Sequence, residues 1–545
     1  MAKKKTWPIY ATAAVAVAAV AYGTHAAGLW GKSAADDVLK IAMATPLTGL
    51  DTAVITDGPA INIAGNTQEG LLRNDDKGEP QLALAKSIDS SADGKTWTIK
   101  LRDGLKWSDG SALTAKDFVY TWQRVNDPKT ASEYAYIFSG IKNADAIQAG
   151  KAAPDTLGVK ATDDTTLVVT LEKPLPQFKN LLTFPTFYPE QQKFVESKGK
   201  SYASSSANQL YSGPYKLEGW NGSNNKFKLV KNDNYWDAKH VKSKEIDVQV
   251  VQKAETAVQL YKQGKLDYTI LDTPDLVAAN SSEKGYQLVP QATTVFNYLN
   301  TKNKALANTN IRKALQLATN RTELNKQVLN GLSTPATSFT PKGLYTAADG
   351  KDFATYAKQD YTYNKSEAKK YWEAGLKELG VSSVSLTLES DTDRVANAKA
   401  VSDYLQSAWQ SSLPGLTIKQ KNVPFKQRLQ DGANGNFDIM LTQWGADYAE
   451  PSTYLNMLVT KGTNNWGNYS SAAYDSALNK ATGDDAIDAT KRDADYKDIE
   501  NDIFKNAAIN PLYFQAQPEL LRPNVSGVVE NTAGVGLDLK TAYRK

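Results

Sequence analysis

Apolar positions recur along the chain with a period of two in some stretches and of three to four in others, and the changes of period lay out the elements. Residues 38–43 read as a first strand. Residues 61–72 read as a helix that stops near Gly70 and hands over to Arg73, with Thr56, Asp57 and Gly58 ahead of it in a loop facing open space. Trp97, Ile99 and Leu101 alternate with Thr98, Lys100 and Arg102, and Asp-Gly turns follow at Gly104 and Gly110. Thr114 and Asp117 have the spacing of a capping box, and Phe118, Val119 and Trp122 give the helix behind it one apolar face. A second alternating run, Leu167, Val169 and Leu171, ends at Pro174. The stretch from about 80 to 204 therefore reads as a compact α+β unit inserted in a larger one, bounded by the serine-rich residues 201–206.

Ile246, Val248 and Val250 alternate, a helix runs from Glu255 to Gly264, and Leu266, Tyr268 and Ile270 alternate again. That order is a β-α-β crossover, which favours parallel neighbours. Beyond Asn300 the helices lengthen: Ile311, Ala314, Leu315 and Ala318 share a face, a helix from Thr322 ends near Gly331, and another covers 366–379 before Gly380. A strand with Val384, Leu386 and Leu388 follows, then a helix with Val395, Ala398, Val401, Leu405 and Ala408. A strand at Leu416 and Ile418, a short helix after Pro424, and a strand with Phe437, Ile439 and Leu441 on one face complete a doubly wound lobe. Trp444 to Asp447 then lie just past a strand's carboxyl end, where such folds bind ligands. Asp447 between Trp444 and Tyr448 suits capture of an ammonium group, and Gly445 and Ala446 let another backbone approach. In the alternative reading Asp447 caps a short helix beginning near Pro451.

Composition narrows the chemistry. At 545 residues the chain exceeds one core and suggests roughly three or four domains. Of its 63 basic residues, Lys3, Lys4 and Lys5 sit at the extreme N-terminus; the other 60 face 59 acidic ones, so no basic stripe points to nucleic acid. The absence of cysteine excludes disulfides, thiolate zinc sites, iron–sulfur clusters and a Cys nucleophile. Only His25 and His240 could serve a Ser-His-Asp triad, and neither a Gly-x-Ser-x-Gly elbow nor a His-Glu-x-x-His motif is present. A non-enzymatic protein without cofactor or metal is expected; a glycosidase-type carboxylate pair, which has no fixed spacing, is the catalytic alternative. Residues 1–26, with Lys3 to Lys5, an apolar run over 9–22 and then small residues, read as an export signal, with an N-terminal anchor as the alternative.

Several segments then combine: Glu69-Gly-Leu-Leu72, Leu105-Lys-Trp-Ser-Asp-Gly110, Leu113-Thr-Ala-Lys-Asp-Phe-Val-Tyr120, Ser212-Gly-Pro-Tyr215, Asn234-Tyr-Trp236, Ile311-Arg-Lys-Ala-Leu315, and Trp444-Gly-Ala-Asp-Tyr448 with Glu450-Pro451. In this order and at these separations, over nearly the whole chain after residue 37, they resemble the extracellular oligopeptide-binding proteins, solute-binding family 5, of peptide ABC transporters. The resemblance implies an α/β fold, a two-lobed periplasmic-binding-protein-like clamp (Venus flytrap) of three domains with mixed sheets and an inserted α+β domain. Domain I would combine 38–80, 205–300 and 515–545, inserted domain II would be 81–204, and domain III, the second lobe, 301–514, with hinge crossings near Asn300 and Phe514. The ligand would be an oligopeptide held as an added strand. Asp447 matches the acceptor for its α-amino group, Trp444, Gly445 and Ala446 one main-chain-pairing segment, and Thr56, Asp57 and Gly58 the other. Tyr134, Phe425 and Tyr513 are candidate pocket walls. A monomer exported to the outer face of the cytoplasmic membrane of a Gram-positive bacterium, delivering to an ABC permease there, is the implied setting. One departure stands out: no lipobox cysteine follows the export segment, so the mode of anchoring is open. A signalling peptide or other small solute on the same scaffold, and a surface adhesin, are the alternative roles.

Overall fold

The computed structural model describes residues 38–359, 362–391 and 397–545. The expected export segment and Val395 of an expected helix lie outside the described residues. Among the described residues no helix is long and apolar enough to cross a membrane.

Two long strands, Tyr286–Leu299 and Ile509–Leu521, are paired antiparallel along nearly their whole lengths. They sit in the middle of an eleven-stranded sheet, with the strand Ser333–Pro335 attached to Ile509–Leu521 off the main path. On one side the sheet continues through Tyr268–Ile270, Leu39–Met43, Glu245–Val250, Lys226–Lys231 and Tyr215–Glu218. On the other it continues through Ile439–Gly445, Val384–Asp391 and Leu416–Val423. The expected crossover forms around the helix Ala254–Lys262, and the first strand, Leu39–Met43, is slotted between its two arms and parallel to both. A separate four-stranded antiparallel sheet is built wholly from Ala85–Ser90, Thr96–Leu101, Thr166–Thr170 and Val159–Asp163. The helix Ala115–Asn126 beside it begins with the expected reciprocal capping box of Thr114 and Asp117. Its Trp122 is buried edge-on against Phe138 and Phe187.

The second lobe winds as its period pattern predicts. Val384–Asp391 is parallel to Leu416–Val423 through the helix Ala398–Ser412, and parallel to Ile439–Gly445 through the helix Phe425–Asn434. The winding reverses between Val384–Asp391 and Ile439–Gly445, which makes the space beyond their carboxyl ends a ligand crevice. Only Leu388–Ile439 and Glu389–Met440 pair these strands. Past that point the buried Arg428 joins them instead, its Nε donating to Asp391 Oδ2 and its Nη1 to Thr442 Oγ1, both at 2.7 Å.

Cores on the two faces of the second lobe follow the strand period. In Tyr286–Leu299, Val295 and Leu299 enter one core, Phe296 and Tyr298 the other. Ile439 and Leu441 share a face as expected, but Phe437 precedes the strand and packs in the opposite core with Met440. The helix expected over 61–72 is Gly58–Thr67 instead. It starts earlier because Asp57 Oδ1 accepts from Ala60 N at 2.9 Å and Pro59 opens the first turn. It ends earlier because Gly70 must pass where a Cβ would come within 2.8 Å of the Leu182 carbonyl oxygen, and Leu72–Asn74 is a strand.

Removing the tie at the crevice should be costly. Arg428→Ala would strip a buried guanidinium from Asp391 and is expected to lower the unfolding free energy by about 3–5 kcal/mol. Urea unfolding would show this as a lower midpoint at unchanged slope, and a loss below about 1 kcal/mol would count against the tie.

Candidate functional site

The strand Ile439–Gly445 delivers its last residues to the crevice in an orientation fixed by its ladder. Trp444 is opposite Thr294 and Gly445 opposite Thr293, and Ala446 N donates to Ala292 O at 2.8 Å. In an antiparallel ladder hydrogen-bonded and non-bonded pairs alternate, so Trp444 and Ala446 turn their main-chain groups inward and Gly445 turns its N–H and C=O outward. Gly445 is exposed, and Thr293 Oγ1 lies 3.3 Å from where its Cβ would stand. Of the three residues expected to pair a ligand's main chain, Gly445 is therefore the one whose own groups are free of the ladder.

Asp447 follows without serving as a helix cap. The short helix Ser452–Leu455 is held by Glu450, whose Oε2 accepts from Ser452 N at 2.9 Å, which sets aside the capping alternative. Asp447 N donates to Thr453 Oγ1 at 3.1 Å, leaving the carboxylate directed into the cleft. Burial pushes the carboxyl up to about 6, and a hydrogen bond from the Tyr136 hydroxyl opposes that rise. No cation contributes. Asp447, Trp444 and Tyr136 line one cavity of about 870 Å³. One wall of this cavity comes from residues 136–181, beside the four-stranded sheet, and the other from residues 444–482. The two sides also meet where Asn180 Nδ2 donates to Ala449 O at 3.1 Å.

Tyr136 is the residue that sequence reasoning missed. It is about 50% exposed, and its ring stacks on Tyr134 at 6.0 Å, while Tyr134 in turn meets Phe184 edge-on at 4.9 Å. The Tyr134-Ala135-Tyr136 spacing was the only available signal, and it does not tell which ring is the wall and which reaches the cleft. Burial holds the Tyr134 phenol protonated, and the nearby Asp447 charge adds to that.

Across the cleft, Gly58 lines a second cavity of about 410 Å³ together with Gly445 and Ala446. The two expected main-chain segments thus face one space. The Asp57 side chain is committed to its helix, accepting from Ala60 N and from the Thr48 hydroxyl, while Thr56 is exposed. Tyr513 and Phe425 are not brought to Asp447. Tyr513 is buried in the paired strands, its hydroxyl without a partner among the described residues, and it lines a third cavity of about 340 Å³. Phe425 starts its helix with the Arg428 guanidinium 5.2 Å over its ring.

Two lobes on one shared sheet, with a carboxylate and an outward-facing backbone at a strand end opposite the other lobe, form a clamp for a small ligand. The family model described as bacterial extracellular solute-binding proteins, family 5, middle, matches residues 79–466. The chain belongs to that family. It is 48% identical over 520 residues to the dipeptide-binding protein of Lactococcus lactis subsp. cremoris, covering 93% of this chain and 94% of that one. It is 34% identical to a probable deoxycholate-binding periplasmic protein of Escherichia coli, over 88% of each chain. Among solved structures, the oligopeptide-binding protein of Listeria monocytogenes bound to peptide superposes with a TM-score of 0.73 at 39% identity, covering 93% of this chain and 99% of that one. The unliganded open form of a periplasmic murein tripeptide-binding protein reaches 0.80 at only 30% identity, covering 93% of this chain and 97% of that one.

The raised Asp447 carboxyl carries a stability consequence. Because the folded protein holds this proton more tightly than the unfolded chain, stability falls as pH rises from about 4 to 6 and the loss persists above that. A shift from 3.8 to about 6 corresponds to at most about 3 kcal/mol. Asp447→Asn is expected to raise the thermal midpoint of the unliganded protein at pH 7 and to leave it nearly unchanged at pH 4. An equal shift at both pH values would contradict the placement of this charge.

Proposed function

We propose that the protein captures oligopeptides between its lobes, with the peptide main chain added along Gly445 and the Thr56 to Gly58 segment and the α-amino group held by Asp447. The observation that carries this reading is the Asp447 carboxylate, desolvated without a cation at the end of a strand whose next outward backbone groups are free. An ammonium group supplies the missing charge, and an extended main chain supplies the missing hydrogen-bond partners. Tyr136 then closes over the amino end from the opposite side. Backbone pairing is common to all peptides, so sequence tolerance is broad and side chains enter the flanking cavities.

The division proposed for the chain is 38–80, 205–300 and 515–545 as domain I, 81–204 as domain II and 301–514 as domain III. The hinge crossings are near Asn300 and Phe514, and the ladder of the two long strands shifts register close by, between Pro290 and Thr294. The bound peptide is passed to an ABC permease at the outer face of the cytoplasmic membrane, the protein acting as an exported monomer that carries out no reaction. Deoxycholate, named for one relative, is an anion, and Asp447 would repel its carboxylate if that end entered the same position.

Calorimetry with free tri- to pentapeptides should give binding that N-acetylation of the peptide and Asp447→Asn each weaken by about a hundredfold or more. Blocked and free peptides of equal affinity would remove the role of Asp447, and binding of deoxycholate in place of any peptide would replace the reading. Affinity should also be bell-shaped in pH. It should fall below about 6, where Asp447 takes up its proton, and above about 8, where a peptide α-amino group loses its charge. A flat profile between pH 5 and 9 would count against an ionic contact.

A further inference from the structure

The cavity of about 410 Å³ that Gly58, Gly445 and Ala446 share has a chemistry the main-chain reading does not use. Among the described residues, and apart from Tyr268, the only ionisable residues on its walls are Glu519 and Glu530. Glu519 is buried on the long strand Ile509–Leu521, and Glu530 stands on the C-terminal hairpin that folds back over it. Both carboxyls draw on one neutral donor: Gln287 Nε2 reaches Glu519 Oε1 at 2.5 Å and Glu530 Oε1 at 3.2 Å. The Tyr268 hydroxyl donates to the other oxygen of Glu519 at 2.9 Å. A third acceptor lines the same space: Asn531 spends its Nδ2 on Val535 O at 3.1 Å, and its Oδ1 is buried with no partner among the described residues. The cavity thus has a surplus of acceptors and, among the described residues, no basic residue on its walls.

We propose that this cavity is a subsite for the ammonium or guanidinium group of a lysine or arginine side chain of the bound peptide, received by Glu530 and Asn531 with Glu519 behind them. The inference rests on the peptide reading above and names a side-chain preference within it. The cation brings charged N–H donors to Asn531 Oδ1, which has none, and to carboxyls served only by the neutral Gln287 amide and Tyr268 hydroxyl, and its stem lies against the apolar part of the wall. Burial and the neighbouring Glu519 push Glu530 up to about 9, so Glu530 keeps its proton near neutral pH. Entry of the cation ionises Glu530, and that proton leaves to solvent.

Tetra-alanine peptides carrying lysine, arginine or norleucine at each position in turn test this by calorimetry. At one position the lysine and arginine peptides should bind about tenfold or more tighter than the norleucine peptide. Their enthalpies should vary with the buffer's ionisation heat as release of about one proton requires, and the norleucine enthalpy should not. Glu530→Gln, which keeps the side chain's shape and a hydrogen bond to Glu519, should abolish the preference and leave the norleucine affinity unchanged. Equal affinity of lysine and norleucine peptides at every position, with tetra-alanine still bound, would overturn the subsite and leave the peptide reading standing. Preference surviving in Glu530→Gln would overturn the assignment to Glu530. If tetra-alanine and all its variants fail to bind, the peptide reading falls and this inference falls with it.

Discussion

The antiparallel pairing of Tyr286–Leu299 with Ile509–Leu521 is the constraint on which the rest of the molecule depends. These strands are the shared middle of a sheet whose outer strands belong to opposite lobes, so each lobe's core is anchored to the same pair of backbones. Ile509 to Phe514 lie beside the second lobe's strands, while Leu520 and Leu521 pair with Thr269 and Tyr268 of the first. The ladder shifts register between Pro290 and Thr294 and again between Val295 and Phe296. The first shift lies next to Ala292 and Thr293, which position Gly445 and Ala446, so a hinge placed there would be mechanically adjacent to the proposed binding backbone.

Adjacency of this kind links affinity to lobe position. Asp447 and Gly445 are presented by one lobe, Gly58 by the other, and Tyr136 by the segment beside the four-stranded sheet. A ligand that satisfies only one side gains part of its hydrogen bonds; one long enough to engage both gains the full set when the lobes approach. Differential contact with the closed arrangement is what shifts the population toward it.

Much of this was legible from local pattern. The capping box at Thr114 and Asp117, the Asp-Gly turns, the crossover around residues 254–262 and the doubly wound order after residue 384 each depend on residues close in sequence, and each formed. The strand end at Gly445 and its carboxylate were legible for the same reason. Errors arose where a distant contact decided. Gly70 looked like a helix terminator because its neighbours are helix formers, yet it is required by the approach of Leu182 and Tyr188 from far along the chain. Phe437 fitted the strand's period but lies before its first hydrogen-bonded residue. Asp447 does not cap the helix after Pro451; Pro451 is its N-cap, and Glu450 Oε2 accepts from Ser452 N in the first turn. Tyr136, Glu519 and Glu530 escaped notice because nothing near them in sequence marks them, and only the fold gathers them around the cleft.

Asp447 and the Glu519–Glu530 pair share one physical predicament. Both place carboxyl groups where burial raises the cost of ionisation and no basic side chain repays it. In a protein whose only task was to be stable, apolar replacements or a paired arginine would serve better, as Arg428 does for Asp391 on the other side of the crevice. The contrast is informative because both environments exist within one lobe interface: the charge that ties strands together is neutralised internally, and the charges that face the cleft are not. Unneutralised acceptors weaken the empty protein, and on the proposed reading a cationic partner would turn that free energy into affinity. An amine-bearing extended chain is the ligand class for which that exchange operates at the carboxylate and along the backbone together.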